Sequence, residues 1–214
     1  MQQISQQVIL STAYFPPIQY VSKLFLHTNV VVDIHETFLK QSYRNRCTIL
    51  SANGKLDLII PVIKPNGNKT QTKDIQIDHK DNWKHVHWQA IVSAYKQSPF
   101  FEFFEEELIS LFSQTHNYLI DWNMECMKVL FSCLDEQFTL SFSEKYLEEG
   151  QYDFRDSISP KPRLQKEDVN FRPEPYYQTF IDKFEFQENL SILDLIFNEG
   201  PQALFICRKS NTHA

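Results

Sequence analysis

The chain has 214 residues, of which 42% are hydrophobic and 14% aromatic, so it can bury a sizeable core and is not a disordered chain. It carries 27 acidic and 21 basic residues, a formal charge of −6. That lacks the basic footprint of non-specific nucleic-acid binding, so no nucleic-acid partner is expected.

No apolar run approaches the ~20 residues of a spanning helix, so no membrane span is expected. Met1 to Gln7 is polar and lacks lysine or arginine, unlike a signal peptide. Cys47, Cys126, Cys133 and Cys207 form no CxxC pair. They read as buried thiols, which leaves no metal site and points to a reducing, cytoplasmic setting. The sequence names no cofactor and leaves a homo-oligomer open.

Val8-Ile9-Leu10 predicts a first strand, ended by Pro16-Pro17, with Pro17 suited to open a helix. Ile18, Val21, Leu24 and Phe25 recur at helical spacing, with Lys23 on the outer face. Val30 to Ile34 is a β-branched run suited to a strand buried on both faces. The three make a βαβ unit. Segments 46–50 and 56–62 flank Asn53-Gly54, a strong hairpin signal. Residues 64–73 read as a mobile loop or hairpin tip, and Ile75 and Ile77 as one more short strand. Helices follow around Trp88–Tyr95, from Pro99 to Phe112, and from Leu119 to Cys133, and then a strand at 138–142. Four prolines and little periodicity make 146–175 a long, mobile loop. A last helix spans Leu190 to Phe197, stopped by Gly200-Pro201. The expected architecture is a single α/β domain over 1–214. Its sheet is open, mainly parallel and Rossmann-like, with a β-hairpin and a helical segment at 81–136.

Several segments resemble, in order and spacing, the WbqC-like family of bacterial proteins. They are Tyr14-Phe15-Pro16-Pro17-Ile18-Gln19-Tyr20, Gln41-Ser42-Tyr43-Arg44-Asn45-Arg46, 58–62, 83–88, Ala94-Tyr95 with 98–101, Tyr177-Gln178, and 190–201. The resemblance implies an enzyme of surface-polysaccharide or related biosynthesis. Such an enzyme would modify an activated or amino sugar by acyl or aminoacyl transfer. Longer members carry an extra Gly-rich segment before the Tyr-Gln motif, whereas 146–175 here holds only Gly150.

Arg44 and Arg46 are two apart. On an extended segment they share a side, and two guanidinium forks there suit a phosphate or carboxylate. Asn45 lies between them, and Tyr43 and Tyr14 would shape the pocket. The expected ligand is therefore a small anion or sugar nucleotide. Asp33 and His35 follow the second strand at its carboxyl end, where ligands of open α/β sheets gather, and are candidates to handle a proton. His87 is a candidate for phosphate binding. Asp194, four residues before Asn198 on one helix face, is expected to pair with Arg44 or Arg46. The Pro16-Pro17 turn suggests a nucleotidyltransferase-like site at a helix N-terminus, although Gln19 and Tyr20 stand where histidines would be expected. Two other readings stay open beside the transferase: a non-catalytic binding or assembly protein using the aromatic helices at 83–112, and a nucleotidyltransferase-like enzyme.

Overall fold

The computed structural model describes residues 4–211, so Met1 to Gln3 of the polar N-terminal stretch lie outside it. Four parallel strands form the central sheet in the order β7-β2-β1-β8: β1 (Ile4–Leu10), β2 (His27–Val32), β7 (Leu140–Phe142) and β8 (Tyr152–Asp153). Helix α1 (Ile18–Leu26) connects β1 to β2, giving the predicted βαβ unit. Val8, Leu10 and Val30 to Val32 are buried, as strands in the middle of a covered parallel sheet require.

Outside the sheet, β3 (Arg46–Ser51) and β4 (Gly54–Ile59) form an antiparallel hairpin. Its two-residue loop is Ala52-Asn53, one position earlier than the Asn-Gly pair suggests. Gly54, at φ 105°, is the first residue of β4. A second pairing joins β5 (Val62–Ile63) to β6 (Gln76–Ile77), and residues 64–75 form its tip. Helices α2 (Trp83–Tyr95), α3 (Phe101–Ser113) and α4 (Leu119–Cys133) supply the helical segment. Their buried faces pack aromatic rings together, Trp83 edge-on to Trp122 and Trp88 tilted against Phe112, and Phe101 meets Phe197 of the later segment. The chain ends with the short α5 (Ile181–Phe184), then α6 (Ile192–Glu199) and α7 (Ala203–Lys209). The fold is α/β, with an all-parallel sheet plus antiparallel hairpins and several helices.

The start of α6 is stitched to the Pro16-Pro17 turn. Ser191 Oγ donates to the Phe15 carbonyl, Ile192 N–H to the Pro16 carbonyl, and Ser191 N–H to Thr48 of the hairpin. Three distant parts of the chain thus meet at one turn. Beyond α6 the backbone turns through Gly200, at φ 51°. A Cβ there would lie 2.4 Å from the Phe100 ring. Gly200→Ala is therefore expected to lower stability by about 1–3 kcal/mol, through overpacking and an unfavourable φ. Urea unfolding is the check, and an unchanged midpoint would show that the ring moves aside freely.

Lys23 departs from its expected place on the outer face of α1. Its side chain is fully buried and pairs with Asp168 at 2.5 Å. It also lies over the rings of Phe154 and Phe171. Helical spacing sets Lys23 apart from the apolar positions of α1 but does not show that its own face is covered. The covering comes from a segment almost 150 positions later, which no local pattern reveals. That segment, 146–175, contains β8 and a short 3₁₀ turn (Pro162–Leu164) and otherwise follows an irregular path.

Candidate functional site

Every strand of the central sheet ends on the same side, and the residues just beyond those ends are unusually polar for a buried region. β1 leads into Ser11 and Thr12, β2 into Asp33 and Glu36, β7 into Ser143, and β8 into Arg155. All six are buried. Charges held out of water survive only when paired and hydrogen-bonded, and here the pairing is dense. Asp33 accepts from the His35 amide, the Ser143 hydroxyl, the Leu147 amide and Arg155 Nη1, the last at 2.6 Å. Arg155 also grips Asp153 through Nε and Nη2. Its hydrogen bonds to Asp153 raise its pKa further above the usual arginine range. The Tyr146 ring lies 5.0 Å from its guanidinium.

Arg44 forms the second anchor. Its Nε and Nη2 meet the two oxygens of Glu36 at 2.7 and 2.5 Å in a bidentate pair, and Nη2 also reaches Asp156 at 3.3 Å. Burial works against the Arg44 charge, but the Glu36 and Asp156 carboxylates together more than offset it, so the pKa lies above the ordinary value. For Glu36, burial dominates and the pKa is raised. Ser11 and Thr72 hydroxyls lie 3.4 Å from the Glu36 oxygens.

These groups face a cavity of about 700 Å³, whose lining includes Glu36, Arg44, Tyr146, Asp153, Arg155 and Asp156. That volume suits a small molecule. Of the predicted residues the lining includes Arg44 alone, with Asp33 reaching it through Arg155, so the structure does not bring the predicted set together. Arg46 sits on β3 opposite the hairpin strand and pairs with Asp57 at 2.9 Å. The two arginines therefore do not form one fork: Arg44 lies in the turn before the strand, where the side-alternation of a strand does not apply. His35 is half-buried beside Asp33, its amide bonded to that carboxylate.

The remaining predicted residues lie in the packing around the site. Tyr14 is fully buried, its hydroxyl 3.0 Å from His87 Nδ1. Desolvation pushes the His87 pKa down to about 4, so the ring is neutral near pH 7. The Tyr14 amide donates to the Tyr43 carbonyl, and burial raises the Tyr43 hydroxyl to about 12. Asn45 donates to the Ile60 carbonyl and so ties the turn to the end of the hairpin. Asp194 meets neither arginine. Its carboxylate accepts from Tyr95, Tyr176 and Gln178, and Asn198 donates to its backbone carbonyl. An apolar helix face does bury the carboxylate as expected, but tyrosine hydroxyls from α2 and from residue 176 satisfy it.

The first turn of α1 is also occupied. The Ile18 amide donates to the Leu190 carbonyl, and the Gln19 amide to Asn189 Oδ1. The Gln19 side chain bonds Asp168 and Asn189. These amides are not free for a phosphate.

Sequence reasoning missed Glu36, Asp153, Arg155 and Asp156. Glu36 lies one residue beyond the predicted His35, within reach of the strand-end argument. Asp153 lies in a strand of two residues with no periodicity to announce it, and Arg155 and Asp156 follow it. Among the described residues, no group of three or more His, Cys, Asp or Glu side chains is placed to hold a metal ion. No helix of the described residues is long and apolar enough to cross a membrane.

The model of the WbqC-like protein family matches residues 12–160, which begins just after β1 and spans α1, β2, the hairpin, the three central helices and both strands that flank the sheet. No curated protein and no solved structure matches the chain.

Proposed function

The chain belongs to the WbqC-like protein family, and from that premise we propose that it is a small-molecule transferase acting on an activated or amino sugar in surface-polysaccharide biosynthesis. One observation carries this reading: four buried, mutually paired charges, Asp33, Glu36, Arg44 and Arg155, converge behind a cavity at the carboxyl edge of a parallel sheet. That edge is where open α/β sheets place ligands, and a sugar's hydroxyl and amino groups need the acceptors that Glu36, Asp153 and Asp156 offer. Asp33 is filled with donors and serves to hold Arg155. Asp156 is different, because its side chain is 69% exposed and makes one long bond to Arg44. It is the carboxylate with room to take a proton as an amine attacks an acyl carbon, the nitrogen–carbon bond forming as the donor's leaving group departs.

Asp156→Asn is expected to lower turnover by about 10²–10⁴-fold while leaving the melting temperature nearly unchanged. The check is an acyl-transfer assay with amino-sugar acceptors against coenzyme A thioesters and aminoacyl donors, with calorimetry for binding. If no amino sugar or nucleotide sugar binds, the reading fails.

A second reading, a binding or assembly protein, is favoured by Phe103. This residue is 79% exposed on α3 beside a groove lined by Phe104, Leu134, Pro201 and Leu204. Turnover in the same assay would separate the two.

A further inference from the structure

Helix α3 carries two stripes. Phe101, Phe104, Leu108, Leu111 and Phe112 are buried. Phe103, Glu106, Glu107 and Ser110, spaced i, i+3, i+4 and i+7, share another face and line a groove of about 910 Å³. The opposite wall comes from the end of α4, from Leu134 and Asp135 just beyond it, and from Pro201 and Leu204. A second depression, of about 560 Å³, shares Ser132 and Asp135 with the first and is also lined by Phe131 and Phe138. Phe103 stands 79% exposed at this groove, with the Phe104 ring edge-on to it. A large aromatic left in water beside further apolar surface marks an interaction site.

The charges around the groove have one sign. Between Phe101 and Ser113 the helix holds four glutamates and no lysine or arginine. Glu102 is three residues from Glu105 and four from Glu106, so like charges are neighbours on the helix surface and weaken it. The cations of this region are engaged elsewhere, Lys128 with Glu125 and Arg208 with Glu136. Among the described residues, no basic side chain forms an ion pair with Glu106, Glu107 or Asp135. Glu107 accepts from Ser132 Oγ and Cys133 Sγ, which holds it across the α3–α4 junction without neutralising it. A partner that brings positive charge relieves this repulsion.

We propose that the groove docks a basic amphipathic helix of a partner protein. Its apolar residues, at i, i+3 or i+4, and i+7, would pack on Phe103, Phe104, Leu134 and Leu204, and its flanking lysines or arginines would meet Glu106, Glu107 and Asp135. The carboxylates favour this occupant over a second copy of the chain, because joining two copies groove to groove would set one acidic wall against another. Size favours a polypeptide over a small molecule. The two depressions together exceed the roughly 300–1,000 Å³ of an ordinary small-molecule cavity. Docking here is independent of the sugar chemistry, since no residue of this groove lines the cavity at the strand ends.

The experiment is fluorescence anisotropy with three labelled synthetic peptides: leucine and lysine in amphipathic helical order, the same composition scrambled, and the ordered peptide with glutamate for lysine. The wild type should bind the first at least about tenfold more tightly than either of the others. Phe103→Ala should weaken that binding at least about tenfold, as loss of an aromatic anchor does, and so should Glu106→Lys/Asp135→Lys. Asp182→Lys/Glu188→Lys makes the same charge change at exposed positions outside the groove and should leave binding within about twofold of wild type. Thermal melting should be nearly unchanged in Phe103→Ala, whose side chain is exposed. Equal affinity for the ordered and scrambled peptides, equal weakening by the remote charge reversal, or no wild-type binding at about 0.1 mM peptide overturns the proposal. A wild-type dimer in sedimentation that Phe103→Ala abolishes would assign the groove to a second copy and overturn it as well.

Discussion

Replacing Arg44 with alanine is expected to destabilise the protein by about 3–5 kcal/mol, the cost of breaking one side of a buried ion pair. The loss is not that of a contact alone. Glu36, 4% exposed, would be left with only the long contacts from Ser11 and Thr72, and its charge would remain in a region from which water is excluded. The double replacement Arg44→Met/Glu36→Leu removes both charges and should recover most of that loss. Urea unfolding of wild type, both single variants and the double variant measures the coupling. If the single change costs under about 1 kcal/mol, the pair behaves as a surface pair and is not part of a dry network. If the double variant is well folded and binds no amino sugar, then the pair is retained for the ligand and not for the fold.

The second large effect belongs to Asp194 and depends on pH. Burial raises its pKa from the usual 3.8 to about 6, against the opposing hydrogen bonds from Tyr176, Tyr95 and Gln178. In the window between those two values the folded protein holds a proton that the unfolded chain has released. The stabilisation from this group is therefore fully present below about pH 4 and is lost as pH rises through about 6. From a shift of that size the change is up to about 3 kcal/mol. Asp194→Asn removes the titration while keeping the shape. Its stability relative to wild type should rise between pH 4 and pH 7. Measuring both proteins across that range cancels the other carboxylates. A difference that stays flat with pH would show that Asp194 is already ionised throughout, held by its two tyrosines.

Local chemistry makes the main elements legible. The β-branched run at 30–34 and the apolar triplet at 8–10 mark the two central strands, and the Pro16-Pro17 stop and the period of α1 mark the crossover between them. The helices follow from aromatic spacing. The outer half of the sheet is less visible. β8 is two residues long, so alternation has nothing to act on, and its presence depends on pairing with Val8 and Ile9 some 145 positions earlier. The site shows the same division. Glu36 and Arg44 belong to the part of the chain whose turns can be read. Arg155, which secures Asp33, arrives with the unreadable strand. Asp194 was visible as a carboxylate in an apolar helix, but its partners were not, because Tyr95 and Tyr176 reach it from elements placed beside it only by the tertiary fold.

The sheet's brevity at its margins has a consequence of another kind. β7 and β8, which flank the sheet, are three and two residues long, and the longer strands β1 and β2 lie between them. An unpaired strand margin is a template on which a neighbouring molecule can add its own strand, and the hazard grows with the length of the row of free amides and carbonyls. Here that row is barely one repeat on either side. The backbone that would be most adhesive is hidden in the middle, and the crevice can keep its strand ends open to small molecules without offering a ledge for other chains to join.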